Sequence, residues 1–235
     1  MSFTICTPTY RGAVRVIKML LTTHQPYVDQ VIVLDDGSPQ EDYDALSREF
    51  PIKSGYFLRR SPENKGIVAS YNELVSQAKS SEIILLDDDA QLPWGFTEIA
   101  RQLLELPNIG VLSWRSYGEK PGQSKTPREG FIEPATQLAG YCMAFKRSLW
   151  EELKGFDERF HHYCGDSDFA LRAVLAGHPS YRVWWPLVPH DEHQAFIENN
   201  LDRFEYVRKD LSAWEEKWSC DGVECERTAL KRLGT

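Results

Sequence analysis

The sequence predicts an α/β fold in which a mostly parallel central sheet is flanked by helices. Short apolar segments, such as residues 30–34 and Glu82–Leu86, alternate with longer segments of helical periodicity. This alternation is typical of right-handed βαβ units. The apolar segments are also continuous rather than alternating, which indicates strands that are buried on both faces.

The order of elements follows from hydrophobic periodicity and turn residues. The predicted strands cover residues 3–7, 30–34, 55–59, 82–86, 110–114, 137–145 and 181–185. The predicted helices cover residues 13–23, 41–50, 67–79, 94–105, 148–154 and 166–176. Residues 195–218 predict a further helix that packs on the domain or on a partner, and the residues from 219 onward predict no element. Residues 117–133 are rich in Gly, Pro, Lys and Ser, which favours a long surface loop with a function.

Composition excludes some classes of protein. The 235 residues carry a net charge of −8, which argues against broad coating of nucleic acid. We find neither a long apolar run nor a signal peptide, so we expect a cytoplasmic chain without a membrane span. The five cysteines are odd in number and scattered, which favours reduced thiols. Cys220 and Cys225 have no second Cys/His pair nearby to complete a zinc site.

Polar clusters follow three of the predicted strands, at residues 7–10, 35–38 and 87–89. Ligands of parallel sheets bind beyond the carboxyl ends of the strands, so these clusters predict one binding rim. Three adjacent carboxylates repel one another unless a cation, basic groups or protonation offsets the repulsion. Asp87 and Asp89 face the same way in an extended segment, and Mg²⁺ or Mn²⁺ prefers such oxygen ligands. The alternative is a solvated acidic turn or a helix cap.

Two motifs predict contacts to a nucleotide. Asp36, beside the tight turn at Gly37, could accept a hydrogen bond from the imide N–H of a pyrimidine base. An ordinary Asx turn is the alternative. Lys65 and Gly66 open a predicted helix, and helix N-termini attract phosphate.

The second half of the sequence holds the candidates for chemistry. Asp166 and Asp168 lie at a predicted helix start, where one could cap the helix while the other acts as a general base. Both could instead be simple N-terminal helix acids. His190 follows a strand and a proline-rich turn and could bind a metal, although a lone His in a loop is usually just exposed. We interpret His161 and His162 as surface or acceptor-site residues.

Taken in order, these segments resemble family 2 glycosyltransferases with the GT-A fold. The match covers roughly residues 3–190, and its segments are Thr7-Pro8-Thr9-Tyr10, Asp35-Asp36-Gly37-Ser38, Asn64-Lys65-Gly66, Leu86-Asp87-Asp88-Asp89, the KGFDE segment from Lys154 to Glu158, and the GDSDFALR segment from Gly165 to Arg172. The sequence departs from the family pattern at two positions. The family has Glu at the position of Gly165 and Gly at the position of Lys154.

The resemblance implies a GT-A domain over residues 1–190, a Rossmann-like sheet flanked by helices. Residues 1–114 would form its nucleotide-binding half and residues 115–190 its acceptor and catalytic half. A C-terminal helical extension would occupy residues 191–235 and could pair two copies in a homodimer.

The resemblance also implies roles for single residues and a divalent cofactor, Mn²⁺ or Mg²⁺. Asp166 would be the catalytic base, and Asp89 and His190 would hold the metal. The donor would contact Thr7, Pro8, Tyr10, Asp36, Lys65, Gly66, Asp87 and Asp88. The acceptor would contact Asp157 and Trp185.

The implied activity is inverting transfer of a sugar from a nucleotide diphosphate sugar, with UDP favoured, to an acceptor hydroxyl. The acceptor could be a glycan, a lipid, a protein or a modified nucleic acid, and basic residues at 120, 125 and 128 could meet an anionic one. The alternatives are a retaining transferase, a non-catalytic module that binds nucleotide sugars or glycans, and a nucleotidylyltransferase. The last would carry a glycine-rich basic loop after the first strand, where residues 7–12 match poorly.

Overall fold

The computed structural model describes residues 2–116, 132–191, 194–199 and 202–232. Most of the predicted functional loop at 117–133, with its three basic residues, lies outside these ranges.

A single sheet of eight strands forms the centre of the molecule. The strands are β1 Phe3–Thr9, β2 Val28–Asp35, β3 Tyr56–Arg60, β4 Glu82–Leu86, β5 Leu112–Trp114, β6 Ile132–Pro134, β7 Cys142–Lys146 and β8 Tyr181–Val183. Their order is β3-β2-β1-β4-β7-β5-β8-β6. The first four are mutually parallel, and β7 runs antiparallel to both of its neighbours, β4 and β5. The predicted mostly parallel α/β fold is therefore confirmed.

Helices cover both faces of this sheet. Those of the described residues are α1 Ala13–Leu20, α2 Gln40–Glu49, α3 Ile67–Ser76, α4 Phe96–Leu104, α5 Arg147–Glu152, α6 Gly165–Leu175, α7 Gln194–Glu198, α8 Arg203–Trp218 and α9 Gly222–Arg232. None of them is long and apolar enough to cross a membrane.

Alternate side chains of the central strands pack into two separate hydrophobic cores. Ile83 and Leu85 pack into one core, whereas Ile84 and Leu86 pack into the other. This alternation explains why the strand sequence is continuously apolar. Trp214 and Cys225 belong to the first core, so the C-terminal helices pack on the domain.

Two predicted elements differ substantially from the structure, and two elements of the structure, β6 and α9, were not predicted. The strand expected at 137–145 begins only at Cys142, because the backbone N–H groups before it bond elsewhere: Gln137 donates to Glu226, and Leu138 to Ser167. The helix expected at 195–218 is divided into α7 and α8, since Asp202 caps the second by accepting the N–H of Phe204. Helix α9 was not predicted at all.

Cys220 and Cys225 form a disulfide, so the expectation that all five thiols are reduced is wrong for this pair. The turn before α9 brings their Cα atoms to 6.0 Å, a separation that a disulfide spans readily. Cys6, Cys142 and Cys164 are free thiols. The cytoplasmic location stays a prediction.

Candidate active site

A cleft of about 660 Å³ lies at the carboxyl ends of the parallel strands, where the polar clusters predicted a binding rim. Nine of the thirteen residues assigned to sites from the sequence line it: Pro8, Tyr10, Asp36, Gly66, Asp87, Asp88, Asp89, Asp166 and His190. These residues come from six separate stretches of chain, which the sheet topology brings to one edge.

Asp87, Asp89 and His190 form a cluster at the bottom of the cleft. One ligand atom from each lies within 4.8 Å of the other two. His190 is held there by a short β-bridge between its own backbone and that of Ala90. Its imidazole stacks on Tyr141 with ring centroids 4.1 Å apart, and its Nε2 lies 3.2 Å from Asp89 Oδ1. Two turns about 100 residues apart in sequence therefore present one candidate set of metal ligands.

The electrostatics of Asp87 suit a cation. Burial raises the pKa of Asp87 to about 7, and the charge of Asp89 adds to this, although a hydrogen bond from the Tyr71 hydroxyl opposes it. A divalent ion would favour the ionised form of both carboxylates. Two carboxylates and one imidazole fit Mn²⁺, and they fit Mg²⁺ less well because Mg²⁺ prefers oxygen ligands alone.

Asp88 points away from this cluster. Its carboxylate accepts hydrogen bonds from Arg15 at 3.0 and 3.1 Å and from the Thr9 hydroxyl at 2.5 Å. Arg15 also donates to the carbonyl of Tyr10 and pairs with Glu198. The ion pair of Arg15 and Asp88 thus fixes the β1–α1 loop against the acidic turn at residues 87–89. The carboxylate oxygens of Asp88 are not directed at the cation ligands.

Asp36 organises the turn that precedes α3. One of its carboxylate oxygens accepts the N–H of Lys65 at 3.0 Å, and the other accepts the N–H of Gly66 at 2.9 Å. Gly66 has a φ of +88°, and a Cβ there would lie 1.8 Å from the ring of His161. Only glycine fits this position. Each carboxylate oxygen keeps a second lone pair that could still accept a bond from a ligand.

Asp166 stands in the first turn of α6 and is partly exposed to the cleft. Burial raises its pKa to about 6, against the opposing effect of backbone hydrogen bonds from Ser167 and Gly140. A Cβ at Gly165 would lie 2.7 Å from Val68. A side chain at residue 165 would therefore require Val68 to move.

The segment at Gly140 and Tyr141 connects Asp166 to the metal cluster. Gly140 donates its N–H to Asp166, and the carbonyl of Tyr141 accepts the N–H of Asp87 at 2.9 Å. The hydroxyl of Tyr71 lies between Asp87 and the Gly140 carbonyl. The candidate base and a candidate metal ligand are therefore held in register by one short stretch of backbone.

An aromatic wall closes the other side of the cleft, and its members are His161, His162, Tyr163, Phe196 and Tyr206. Asp210 of α8 holds the first three in place. Its buried carboxylate accepts their three backbone N–H groups at 2.7 to 2.9 Å.

Thr7 and Lys65 are absent from the lining of the cleft among the described residues. Thr7 is fully buried within β1. Lys65 contributes its backbone N–H to Asp36, while its ammonium pairs with Glu73 at 3.3 Å.

The two residues assigned to the acceptor also lie outside the cleft lining that the structure describes. Asp157 pairs with Arg159 at 2.9 Å and with Lys217 at 2.7 Å. Burial acts to raise its pKa, yet these partners hold that pKa well below its usual range. Trp185 is 43% exposed on the surface.

Several residues that build the site were not predicted from the sequence. Arg15 carried a usable signal, because it lies on the apolar stripe of α1 with Val16 and Met19, where an unpaired charge would be costly. Tyr71 and Asp210 also lie on the buried faces of their helices. Their partners come from distant segments, which no local pattern identifies.

The family model for glycosyl transferase family 2 matches residues 4–173. This chain therefore belongs to glycosyl transferase family 2. A comparison with curated proteins by sequence found no match.

Solved structures share the fold. The mannosyltransferase PcManGT from Pyrobaculum calidifontis, in complex with GDP-Man and Mn²⁺, has a TM-score of 0.71 and 18% identity over 91% of this chain and 64% of that chain. GalNAc-T7 with UDP, GalNAc and Mn²⁺ has a TM-score of 0.66 and 14% identity, over 81% of this chain and 44% of its own. TarS 1–349 from S. aureus in complex with UDP-GlcNAc has a TM-score of 0.60 and 17% identity, over 80% of this chain and 57% of its own. The expected GT-A fold is confirmed, and this chain spans less than two thirds of each of these neighbours.

Proposed function

We propose that this protein transfers a sugar, with inversion, from a nucleotide diphosphate sugar to the hydroxyl of an acceptor. The observation that carries the proposal is the meeting of Asp87, Asp89 and His190 with Asp166 in one cleft. Family membership and the fold support it. The neighbours solved with GDP-Man and Mn²⁺, and with UDP, GalNAc and Mn²⁺, support the choice of donor and cation.

Asp166 is the proposed general base. Its carboxylate takes the proton of the acceptor hydroxyl while the acceptor oxygen bonds to the anomeric carbon. The bond from that carbon to the diphosphate breaks on the opposite face, and the electron pair leaves with the nucleoside diphosphate. A pKa near 6 leaves Asp166 mostly ionised at neutral pH and still basic enough to accept a proton.

Asp87, Asp89 and His190 would hold Mn²⁺, or Mg²⁺ with a poorer fit. When bound, the cation supplies positive charge for the leaving diphosphate. The cleft needs this charge, because neither Lys nor Arg is found among its described lining residues.

Pro8, Tyr10 and Asp36 would surround the base of the donor, and Gly66 at the start of α3 would approach its phosphates. A UDP-sugar is favoured because the free lone pairs of Asp36 suit the imide N–H of uracil. Thr7 and Lys65 would then act only indirectly, through their backbone. Asp88 would act only through its ion pair with Arg15.

A donor screen with Mn²⁺ tests the proposal. UDP, GDP and CDP sugars are assayed for release of the nucleoside diphosphate, first with water and then with added acceptors. Asp166→Asn should lose about 10²–10⁴ of the transfer rate and still bind the donor, whereas the exposed Asp44→Asn on α2 should match wild type. An unchanged rate in Asp166→Asn would remove the base from the mechanism.

Asp89→Ala or EDTA should abolish donor binding that depends on metal, as judged by thermal shift. Donor binding without any turnover would support a binding module instead. A product of unchanged anomeric configuration, observed by NMR, would show a retaining transferase.

A further inference from the structure

The aromatic wall of the main cleft extends beyond the part of the chain that the family model matches. Phe196 of α7 and Tyr206 of α8 both lie after residue 173, where that match ends. Both rings contact His162, with ring centroids 4.7 Å and 6.0 Å apart. The C-terminal helices therefore complete one wall of the cleft that also holds the candidate base.

Three members of this wall offer surface to a ligand in the cleft. His161, His162 and Tyr206 are half-buried residues that line it, whereas Phe196 is only 7% exposed and meets His162 edge to face. The rings supply apolar surface, and their imidazole and hydroxyl groups add atoms that donate or accept hydrogen bonds. Aromatic surface with a few polar groups is typical of a small-molecule site.

The wall and the candidate base belong to one continuous stretch of chain. Residues 161–163 lead through Cys164 into the first turn of α6, where Asp166 lies. Cys164 has a φ of +65°, a conformation that a residue with a side chain adopts only at a cost. Asp210 fixes residues 161–163 by burying its carboxylate against their N–H groups, which is also costly. Backbone strain of this kind is concentrated at functional sites.

Asp166 faces the same open space as the wall and the candidate metal ligands, because all of them line one cleft. Burial raises the pKa of Tyr71, and the charges of Asp87 and Asp166 raise it further. One hydroxyl is therefore close to both the metal cluster and the base. An acceptor against the wall can reach Asp166 without leaving the cleft in which the donor would lie.

We propose that the wall formed by His161, His162 and Tyr206 binds a neutral sugar ring of the acceptor. The reaction requires a hydroxyl beside Asp166, and the wall favours an apolar face. A pyranose ring supplies both, and its other hydroxyls suit the polar atoms of the wall. Five carboxylates, and neither Lys nor Arg, are found among the described lining residues of the cleft, which disfavours an anionic acceptor.

This inference rests on the proposed function, because it assigns the acceptor of the same reaction. The proton of one ring hydroxyl passes to the carboxylate of Asp166 while the oxygen bonds to the anomeric carbon of the donor. The bond from that carbon to the diphosphate breaks, and its electron pair leaves with the nucleoside diphosphate.

The test uses the full chain with Mn²⁺, the best donor of the screen and methyl glycosides of glucose, galactose, mannose and N-acetylglucosamine. These acceptors carry no aromatic group of their own. At least one should accelerate donor turnover above hydrolysis. Tyr206→Ala should raise the half-saturating concentration of that glycoside by roughly 3- to 10-fold. The half-saturating concentration of the donor should change by less than about twofold.

Phe204→Ala is the matched control, because Phe204 is an aromatic residue of the same helix that is 57% exposed and lies outside the cleft lining. It should leave both constants unchanged. Tyr206→Leu keeps an apolar side chain on α8 without an aromatic face, so it tests the wall even if Tyr206→Ala fails to fold. Tyr206→Phe keeps the ring and should weaken the glycoside less than Tyr206→Leu does.

Binding can also be measured without turnover. Saturation-transfer difference NMR, with the glycoside and the nucleoside diphosphate of the best donor, should show transfer to the C–H protons of the sugar ring. The transfer should persist in Phe204→Ala and weaken in Tyr206→Leu.

Acceptor constants and saturation transfer that stay unchanged in the folded Tyr206 variants would overturn the sugar site and leave the transferase proposal intact. Turnover stimulated only by phosphorylated sugars, lipids, peptides or nucleic acid would also overturn it. If the wild-type protein turns over no donor under any condition, the proposed function fails, and the inference that rests on it fails too.

Discussion

The carboxyl of Asp166, the proposed base, should couple the activity of the protein to its stability through one pKa. Burial raises this pKa from 3.8 to about 6 in the metal-free protein. A base must be ionised to act, so the rate at saturating substrates should fall about tenfold per pH unit below the pKa. This fall in rate is the acidic limb of the pH–rate profile. A nearby cation favours the ionised form, so the midpoint of this limb should lie at or below pH 6.

The limb can be told apart from protonation of the metal ligands by varying manganese. Ligand protonation competes with metal, so a limb that it causes moves to lower pH as manganese rises. The limb due to Asp166 should stay in place. A limb that shifts with manganese would contradict its assignment to Asp166.

The same raised pKa predicts a stability effect of defined sign. Between pH 3.8 and about 6 the folded chain binds more protons at Asp166 than the unfolded chain does. Its contribution to stability therefore declines as the pH rises through that window. Asp166→Asn should melt at a higher temperature than wild type at pH 7, and this advantage should vanish near pH 4.

At the scale of elements, Asp210 lets helix α8 shape a loop that it does not adjoin in sequence. Replacing Asp210 with Ala leaves three backbone N–H groups, at residues 161 to 163, without their acceptor. Leaving a buried donor unpaired costs about 1–3 kcal/mol, so losing the acceptor of three part-buried donors should cost about 3–5 kcal/mol in total. Urea denaturation should show a decrease of this size in the free energy of unfolding.

Asp202→Ala is the control on the same helix. Asp202 caps α8 at an exposed position by accepting the N–H of Phe204, and loss of such a cap costs about 1 kcal/mol. Equal losses in the two variants would show that the loop at 161–163 does not depend on Asp210.

The elements also show how far the sequence determines this fold. The apolar strand Glu82–Leu86 was predicted with its exact bounds, because burial on both faces leaves a continuous signal. Residues 137–141 were predicted as part of a strand but are not in one. The N–H groups of Gln137 and Leu138 bond instead to Glu226 and Ser167, which come from later elements. Helix α9 gave no signal because it buries few apolar side chains, chiefly Cys225 and Ala229.

The site residues likewise divide into those that local sequence signals and those that only distant contacts position. The Asp-rich turn and Asp166 could be predicted as candidates because local order places them after a strand and at a helix start, and both line the cleft. Arg15 contacts Asp88 across 73 positions of sequence, and Tyr71 contacts Asp87 across 16. Only the folded chain brings these groups together.

At the scale of the whole molecule, the region matched by the family model does not contain the complete core. Trp214 is 3% exposed and Ala229 1% exposed, and both pack with Phe169 of α6 in a single cluster. Asp168 is fully buried and bonds to Lys217 at 2.5 Å and to Trp218 at 3.0 Å. The boundary predicted at residue 190 therefore cuts through a shared core.

A chain that ends at residue 190 should consequently fail to fold cooperatively. It would expose the apolar face of α6 and leave the charge of Asp168 without Lys217, and either loss is a large fraction of the stability of a typical domain. We expect binding of a hydrophobic dye and loss of a cooperative thermal transition, measured by fluorescence and near-UV circular dichroism. In the full chain, Trp214→Ala should cost about 3–5 kcal/mol, while Val223→Ala, at a site 63% exposed, should cost less than about 0.5 kcal/mol. A cooperative transition in the shortened chain would show that residues 1–190 are an independent domain and that the C-terminal helices are only attached to it.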